Sequence, residues 1–315
     1  MLGDGGLSEG GTFRQSFLWL YDSMAFPEHL QHLIQHDQSL AELTWLGIGG
    51  PARYFAEPHT REQLIELVQA ARAAAIPVRF LGSGSNLLVR EAGFDGLVIS
   101  LAAAPLSQVS VAGTEVTAAA GAKLGHVITQ AVGAGLGGLE HLAGIPGTVG
   151  AAVCGNANAG GGDIGTAVQS VRVLDTDGSV RTILRDELQF SHRKSNLSGL
   201  LILEVTFQLE SRDVTTLTKR LQKLWIVANN ERPTDEPRIA QPFIDPDGFS
   251  VGDLIQQAGM SGMRLGNASL AAGKPNYLLA HSGATSEDIL QLLERVRDQV
   301  SLQSGIDLQL NLQIW

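Results

Sequence analysis

The residues best suited to chemistry fall in three short stretches. Phe190-Ser191-His192-Arg193-Lys194-Ser195 gathers a guanidinium, an ammonium and a hydroxyl within a few residues. The planar fork of Arg193 can grip a carboxylate or an enolate through two parallel hydrogen bonds. A solvated basic turn is the competing reading. Leu81-Gly82-Ser83-Gly84-Ser85-Asn86-Leu87-Leu88 directly follows an apolar run expected to be a strand. Small residues in such a loop let successive backbone N–H groups converge on an anion. The serine hydroxyls and the Asn86 amide add donors. A tight turn is the alternative there. The loop lacks the third glycine of a dinucleotide fingerprint and the Gly-Lys-Ser/Thr of a P-loop. The third stretch is Gly144-Ile145-Pro146-Gly147-Thr148-Val149-Gly150, with Asn156 beyond it. Pro146 stiffens a backbone that Gly144 and Gly147 allow a ligand to approach closely, and a plain structural turn is equally open.

Other chemistry is disfavoured. His126, His141 and His281 are isolated and show no metal-ligand spacing. Asp245, Asp247 and Asp253 share a loop without the pattern of a calcium site, and no metal is expected. Cys154 is the single cysteine, so an intramolecular disulfide is excluded and a buried, inert thiol in a reducing cytoplasm is expected. The formal charge of −10 argues against a nucleic-acid surface but leaves room for a local cationic pocket. No apolar run approaches the roughly 18 residues a membrane span needs. The Gly-rich, acidic start lacks the basic region of a signal peptide. Residues 1–23 do not read as the opening of a domain, and Met24 is an alternative start.

The elements that must position these stretches are legible in part. With 44% hydrophobic and 17% charged residues, the chain can build a core. Residues 24–46 are expected to form a helix and a short extended piece, followed by a turn over Gly47–Pro51 and a strand at 54–57. Thr60 and Gln63 have capping-box spacing, and Leu64, Leu67, Val68 and Ala71 make one apolar helix face. Strands are expected at 78–81, 97–101 and 200–209. Hairpins are expected around Gly113 and around Asp177-Gly178. Helices are expected at 123–132, 214–230 and 250–258. Another starts at Thr285, with Ile289, Leu292, Leu293, Val296 and Val300 as its stripe. The tail, 306–315, alternates as one strand. Interleaved hairpins and helices favour α+β over a doubly wound parallel sheet.

Taken together and in order, these segments resemble the UDP-N-acetylenolpyruvoylglucosamine reductase (UDP-N-acetylmuramate dehydrogenase) family. The resemblance runs from about Thr44 to the end of the chain. It is carried by Gly47–Ala52, Leu81–Leu88, Phe94–Ile99, Gly138–Gly150, Asn156, Gly161-Gly162, Arg193-Lys194-Ser195, Ala258–Gly262 and Asn276. It implies an α+β fold whose FAD-binding region is of the vanillyl-alcohol-oxidase (PCMH) type, with two α+β subdomains, followed by a C-terminal α+β substrate-binding domain. The expected division is an N-terminal extension and first helix over 1–40, the FAD-binding region over 41–211, and the substrate-binding domain with its C-terminal strand over 212–315. The resemblance assigns cofactor binding to Gly49, Gly82, Ser83, Gly84, Ser85, Asn86, Leu87, Gly144, Ile145, Pro146, Gly147, Thr148, Gly150 and Asn156. It makes Arg193 the catalytic cation and Arg193, Ser195 and Asn276 substrate contacts. The implied reaction uses NADPH to reduce FAD and then passes a hydride to the enolpyruvyl double bond of a UDP-sugar, a proton being added to the neighbouring carbon. No nucleic acid, membrane or obligate protein partner is implied.

The sequence departs from the family in the half that touches substrate. The family's proton-donating serine aligns with Gln241 in Ala240-Gln241-Pro242-Phe243-Ile244-Asp245-Pro246. The family's catalytic glutamate falls on Gln309, Asn311 or Gln313, all uncharged. His192 stands where a tyrosine usually precedes the arginine. His192, Ser250 and water are the replacement proton donors to weigh. The alternatives are an FAD-binding paralogue that has lost turnover, and an FAD oxidoreductase with a different substrate.

Overall fold

The computed structural model describes residues 25–159, 161–175, 178–233 and 238–315. The expectations for 1–23 and Met24, and Asp177 of the expected hairpin turn, lie outside these residues.

Three sheets organise the described chain. The first has the strand order Ile34–Ser39, Pro51–Ala56, Phe94–Ser100, Val78–Leu81. Its last three strands run parallel, and the first pairs antiparallel. The helix Arg61–Ala73 belongs with this sheet. The expected capping box forms there: the Thr60 hydroxyl accepts from Gln63 N at 3.2 Å, and the Gln63 side chain accepts from Thr60 N at 3.2 Å. Its buried face is Leu64, Leu67, Val68 and Ala71. Burial of each of the three larger side chains contributes about 1.5–3 kcal/mol.

The second sheet is antiparallel, in the order Val180–Leu184, Val168–Leu174, Leu201–Gln208, Glu115–Ala119, Val109–Ala112. The third, also antiparallel, runs Ile239–Ala240, Lys274–Ala280, Ala268–Ala271, Arg264–Leu265. It packs with the helices Val251–Gln257 and Ser286–Ser304 around a core of its own, which also takes in Leu46, Ile48 and Leu88. The expected stripe of the last helix is buried throughout. The helix Val214–Glu231 buries Leu217 in the larger, N-terminal core.

Two local expectations are corrected. Residues 24–46 hold no α-helix among the described positions. A 3-10 turn at Glu28–Leu33 leads into the strand Ile34–Ser39. That strand sits at a sheet edge with most of its side chains exposed, so it shows no apolar alternation, and its identity comes from pairing with Pro51–Ala56. A short helix, Val149–Cys154, for which the sequence pattern raised no expectation, follows directly on Thr148. The tail is two strands with different partners. Gln309–Leu310 pairs antiparallel with Phe243–Ile244, and Gln313–Ile314 pairs parallel with Leu87–Leu88. The Trp315 ring lies 6.1 Å from Phe94, with the Arg79 guanidinium 5.3 Å from it.

Candidate flavin and substrate site

The two small-residue loops meet. A Cβ built on Gly82 would stand 2.9 Å from Thr148 Oγ1, and one on Gly147 would find only Ser85 Oγ within 4 Å, at 3.9 Å. Gly147 has φ 125°, a backbone state that L residues rarely adopt. Gly84 (φ 61°) is wedged against the Leu43 carbonyl, where any side chain would collide with backbone. The surface between the loops therefore stays small-walled and lined by hydroxyls. Ser83 Oγ is buried and has no hydrogen-bond partner. A buried hydroxyl left unsatisfied costs about 1–3 kcal/mol. A phosphate oxygen between the loops would satisfy it. On this ground the residues fit the diphosphate of a dinucleotide.

The other residues expected around a cofactor divide by what they touch. Gly49 and Gly50 pack inward: a Cβ on Gly49 would lie 2.9 Å from Val89 Cβ, and Gly50 N donates to Arg90 O at 2.9 Å. Gly144 (φ 87°) lies against Ala228 of the helix Val214–Glu231. Gly150 packs on Ala120 and donates to its carbonyl at 2.9 Å. Ile145 is partly buried against the larger core and Pro146 is exposed. Leu87 is buried and paired through its backbone.

The short helix Val149–Cys154 links this region to Arg193. At about 1.5 Å per residue its six residues span roughly 9 Å. Its N-terminal end is Thr148, beside Gly82. Its C-terminal end clamps the turn that carries Arg193. Ser195 Oγ donates to Cys154 O at 2.7 Å, Asn156 Nδ2 donates to Ser191 O at 2.8 Å, and Asn156 Oδ1 accepts from Gly165 N at 3.1 Å. Asn156 is buried in a left-handed conformation (φ 42°). The side chains of Asn156 and Ser195 are thus engaged in holding the arginine hairpin. Burial pushes the Cys154 thiol pKa up, as suits an inert thiol.

Arg193 itself has φ 55° and is half-buried, with Nε inaccessible and lacking an acceptor. Burial lowers its pKa, and the charge of Asp245 works in the opposite direction. The Arg193 Nε–H is left without an acceptor. His192 beside it bridges two parts of the chain: Nε2 lies 3.3 Å from the Asp245 carbonyl and Nδ1 lies 3.5 Å from Asn158 Nδ2. The Asp245 carboxylate accepts from Val251 N at 2.9 Å, and Ser250 Oγ caps the same helix by accepting from Asp253 N at 3.3 Å. Asn276 forms a paired contact with the backbone of Phe243, accepting at 3.3 Å and donating at 3.1 Å. It therefore shapes the Gln241–Ile244 segment.

Asn311 Nδ2 donates to Gln241 O at 3.1 Å. The tail residue that meets Gln241 is therefore Asn311, rather than Gln309 or Gln313.

Sequence reasoning did not find the polar seam on the far side of Gly47. Arg232 stacks 4.3 Å over the Trp45 ring, and Arg238 packs against Gly47. Lys274 Nζ donates to the carbonyls of Asn230 and Arg232. These pairs lie far apart in the chain, and no local motif marks them. Among the described residues, no group of three or more His, Cys, Asp or Glu side chains is placed to hold a metal ion. None of the described helices is long and apolar enough to cross a membrane.

Two small-residue loops that meet, with a half-buried arginine a short helix away in an α+β fold, agree with an FAD-binding oxidoreductase, the class that the comparisons show. Residues 52–184 match the family described as FAD binding domain, and residues 232–315 match the C-terminal domain of UDP-N-acetylenolpyruvoylglucosamine reductase. The reductase of Rhodopirellula baltica is 53% identical over 290 residues, spanning 92% of this chain and 95% of that protein. That of Moorella thermoacetica is 36% identical over 89% of this chain and 92% of its own length. The crystal structure of the Thermus caldophilus reductase superposes with a TM-score of 0.76 at 32% identity, over 90% of this chain and 98% of that one. The chain belongs to the UDP-N-acetylenolpyruvoylglucosamine reductase family.

Proposed function

We propose that the chain reduces the enolpyruvyl group of UDP-N-acetylglucosamine enolpyruvate to UDP-N-acetylmuramate, with FAD held in the site and NADPH as reductant, in the cytoplasm. The observation that carries this reading is the half-buried Arg193 with its unsatisfied Nε. A planar carboxylate is the anion that such a fork matches. When bound, FAD supplies the hydride chemistry.

The chain's own residues have distinct tasks in this reading. Gly82–Ser85 and Gly147–Thr148 cradle the diphosphate. Arg193 binds the substrate carboxylate and stabilises the negative charge that develops on it once hydride reaches the adjoining double bond. Asn156 and Ser195 hold the hairpin so that the guanidinium needs little reorganisation. Gln241 and Asn311 carry neutral amides, which do not release protons near neutrality. His192 is the titratable side chain that spans from the arginine turn to the loop following Gln241, and it delivers the proton to the carbon next to the one that receives hydride. Residues 232–315 form the substrate-facing part. The charge of −10 suits a soluble enzyme with one local cationic pocket.

The test is to follow NADPH oxidation by the purified chain with and without the enolpyruvyl substrate. Substrate-dependent oxidation with formation of UDP-N-acetylmuramate is expected. Flavin reduction without any response to that substrate would refute the assignment.

A further inference from the structure

Asn86 closes the phosphate-cradling loop, yet both ends of its side-chain amide point away from that cradle. Nδ2 donates to the Asn311 carbonyl at 2.9 Å, and Oδ1 accepts from Gln241 N at 3.2 Å. Asn311 Nδ2 donates in turn to Gln241 O at 3.1 Å. The side-chain amides of Asn86 and Asn311 and the backbone of Gln241 thus close a ring of hydrogen bonds among segments more than 60 residues apart in sequence, and further backbone bonds brace it. Asn86 O accepts from Gln313 N at 3.0 Å, and Pro242 O accepts from Asn311 N at 2.7 Å. The tail is thereby stitched on one side to the loop that would hold FAD and on the other to the loop expected to face substrate. The two side chains in the ring, Asn86 and Asn311, are neutral amides, so proton transfer is not their work.

Ordering one of these loops therefore orders the other. Asn86 cannot keep both bonds unless Gln241 and Asn311 stay in register, and Gln241 cannot shift without releasing Asn86. Binding that fixes one loop leaves less freedom for the second ligand to remove, which is positive coupling. We propose that the Asn86–Gln241–Asn311 ring is a positioning device that couples FAD binding to occupancy of the sugar-nucleotide site. The proposal rests on the flavin reading above and adds to it a thermodynamic link between the two ligands.

The experiment titrates the full chain with FAD, by flavin fluorescence, with and without saturating UDP-N-acetylmuramate, and repeats the titration in the reverse order. The wild-type chain should bind FAD about 5-fold or more tightly when the product is present, and the reverse titration should give the same factor. In Asn311→Leu, which removes one bond of the ring, and in Asn86→Ala, which removes two, the factor should fall toward one, each variant's factor being read against its own affinity for FAD alone. Circular dichroism identifies a variant that has failed to fold, and Asn311→Leu suffices if Asn86→Ala does so. A wild-type factor of one, or an unchanged factor in a folded variant, overturns the coupling and leaves the flavin reading standing. A chain that takes up no FAD overturns that reading and the proposal with it.

Discussion

Replacing Arg193 with glutamine removes the charge and the fork while keeping a polar side chain of moderate length. The backbone state at φ 55° is already imposed on an L residue, so the exchange adds little new strain. The guanidinium has a buried Nε without an acceptor, so its bonds to a substrate carboxylate are gained without breaking an internal pair. Two charge-assisted bonds at about 1.5–3 kcal/mol each amount to about 3–6 kcal/mol. At roughly 1.4 kcal/mol per decade, kcat/KM should fall by about two to four orders of magnitude. The hairpin clamps, Asn156 to Ser191 and Ser195 to Cys154, do not involve the Arg193 side chain, so FAD affinity should stay within a few-fold. The assay pairs steady-state NADPH oxidation with an FAD titration of the same preparation. Arg193→Lys should recover only part of the loss, because an ammonium lacks the planar fork. A glutamine variant with kcat/KM within about three-fold of wild type would refute the role, and so would one that lost activity by losing FAD.

Three further outcomes are expected. Ser83→Ala removes the buried hydroxyl that awaits an acceptor, so FAD affinity should drop about 10- to 100-fold, from a charge-assisted bond of about 1.5–3 kcal/mol, while the FAD-free chain should melt higher because an unsatisfied buried group is gone; fluorescence titration and thermal melting read the two effects. His192→Gln should retain FAD and lower kcat by about 10²–10⁴-fold if its imidazole delivers the proton, and full turnover in that variant would move the donor elsewhere. Glu140 is buried, accepts from Gly138 N at 2.7 Å and forms an ion pair with Arg220 Nη1 at 3.0 Å. Burial works to raise its pKa, but the hydrogen bond from Gly138, with the charge of Arg220, outweighs it and the pKa is lowered. Its contribution to stability is therefore full above the ordinary carboxylate range and is lost as pH falls through the lowered value. Glu140→Gln should cost about 1.5–3 kcal/mol in denaturant unfolding at neutral pH, a cost that shrinks as pH falls through the lowered pKa.

Elements defined by their own residues were legible in the sequence. The box at Thr60 and Gln63 and the stripe Ile289 to Val300 encode their helices locally, and both form as expected. The strand Ile34–Ser39 was not legible, because an edge strand with exposed Gln35, His36 and Asp37 has no pattern apart from its partner. The tail shows a similar limit. Its alternation reads as one strand, but Asn311 breaks it where the chain crosses from Phe243–Ile244 to Leu87–Leu88. For the site, glycines marked the two loops because left-handed backbone and close approach demand them at Gly84 and Gly147. Which of the site side chains are tied up by the fold was hidden. Ser83 and Arg193 keep unsatisfied atoms, whereas Asn86, Asn156, Ser195 and Asn276 are tied into the protein. Such partners lie up to 225 residues apart, and no spacing rule reports them.

The most direct measurement is the visible absorbance of the purified chain after titration with FAD, followed by NADPH and then the enolpyruvyl UDP-sugar. One flavin per chain should bind, bleach on addition of NADPH and recover its colour when the sugar nucleotide is added without oxygen. A chain that stays colourless after titration, or a bleached flavin that the sugar nucleotide fails to reoxidise, would contradict the account at its centre.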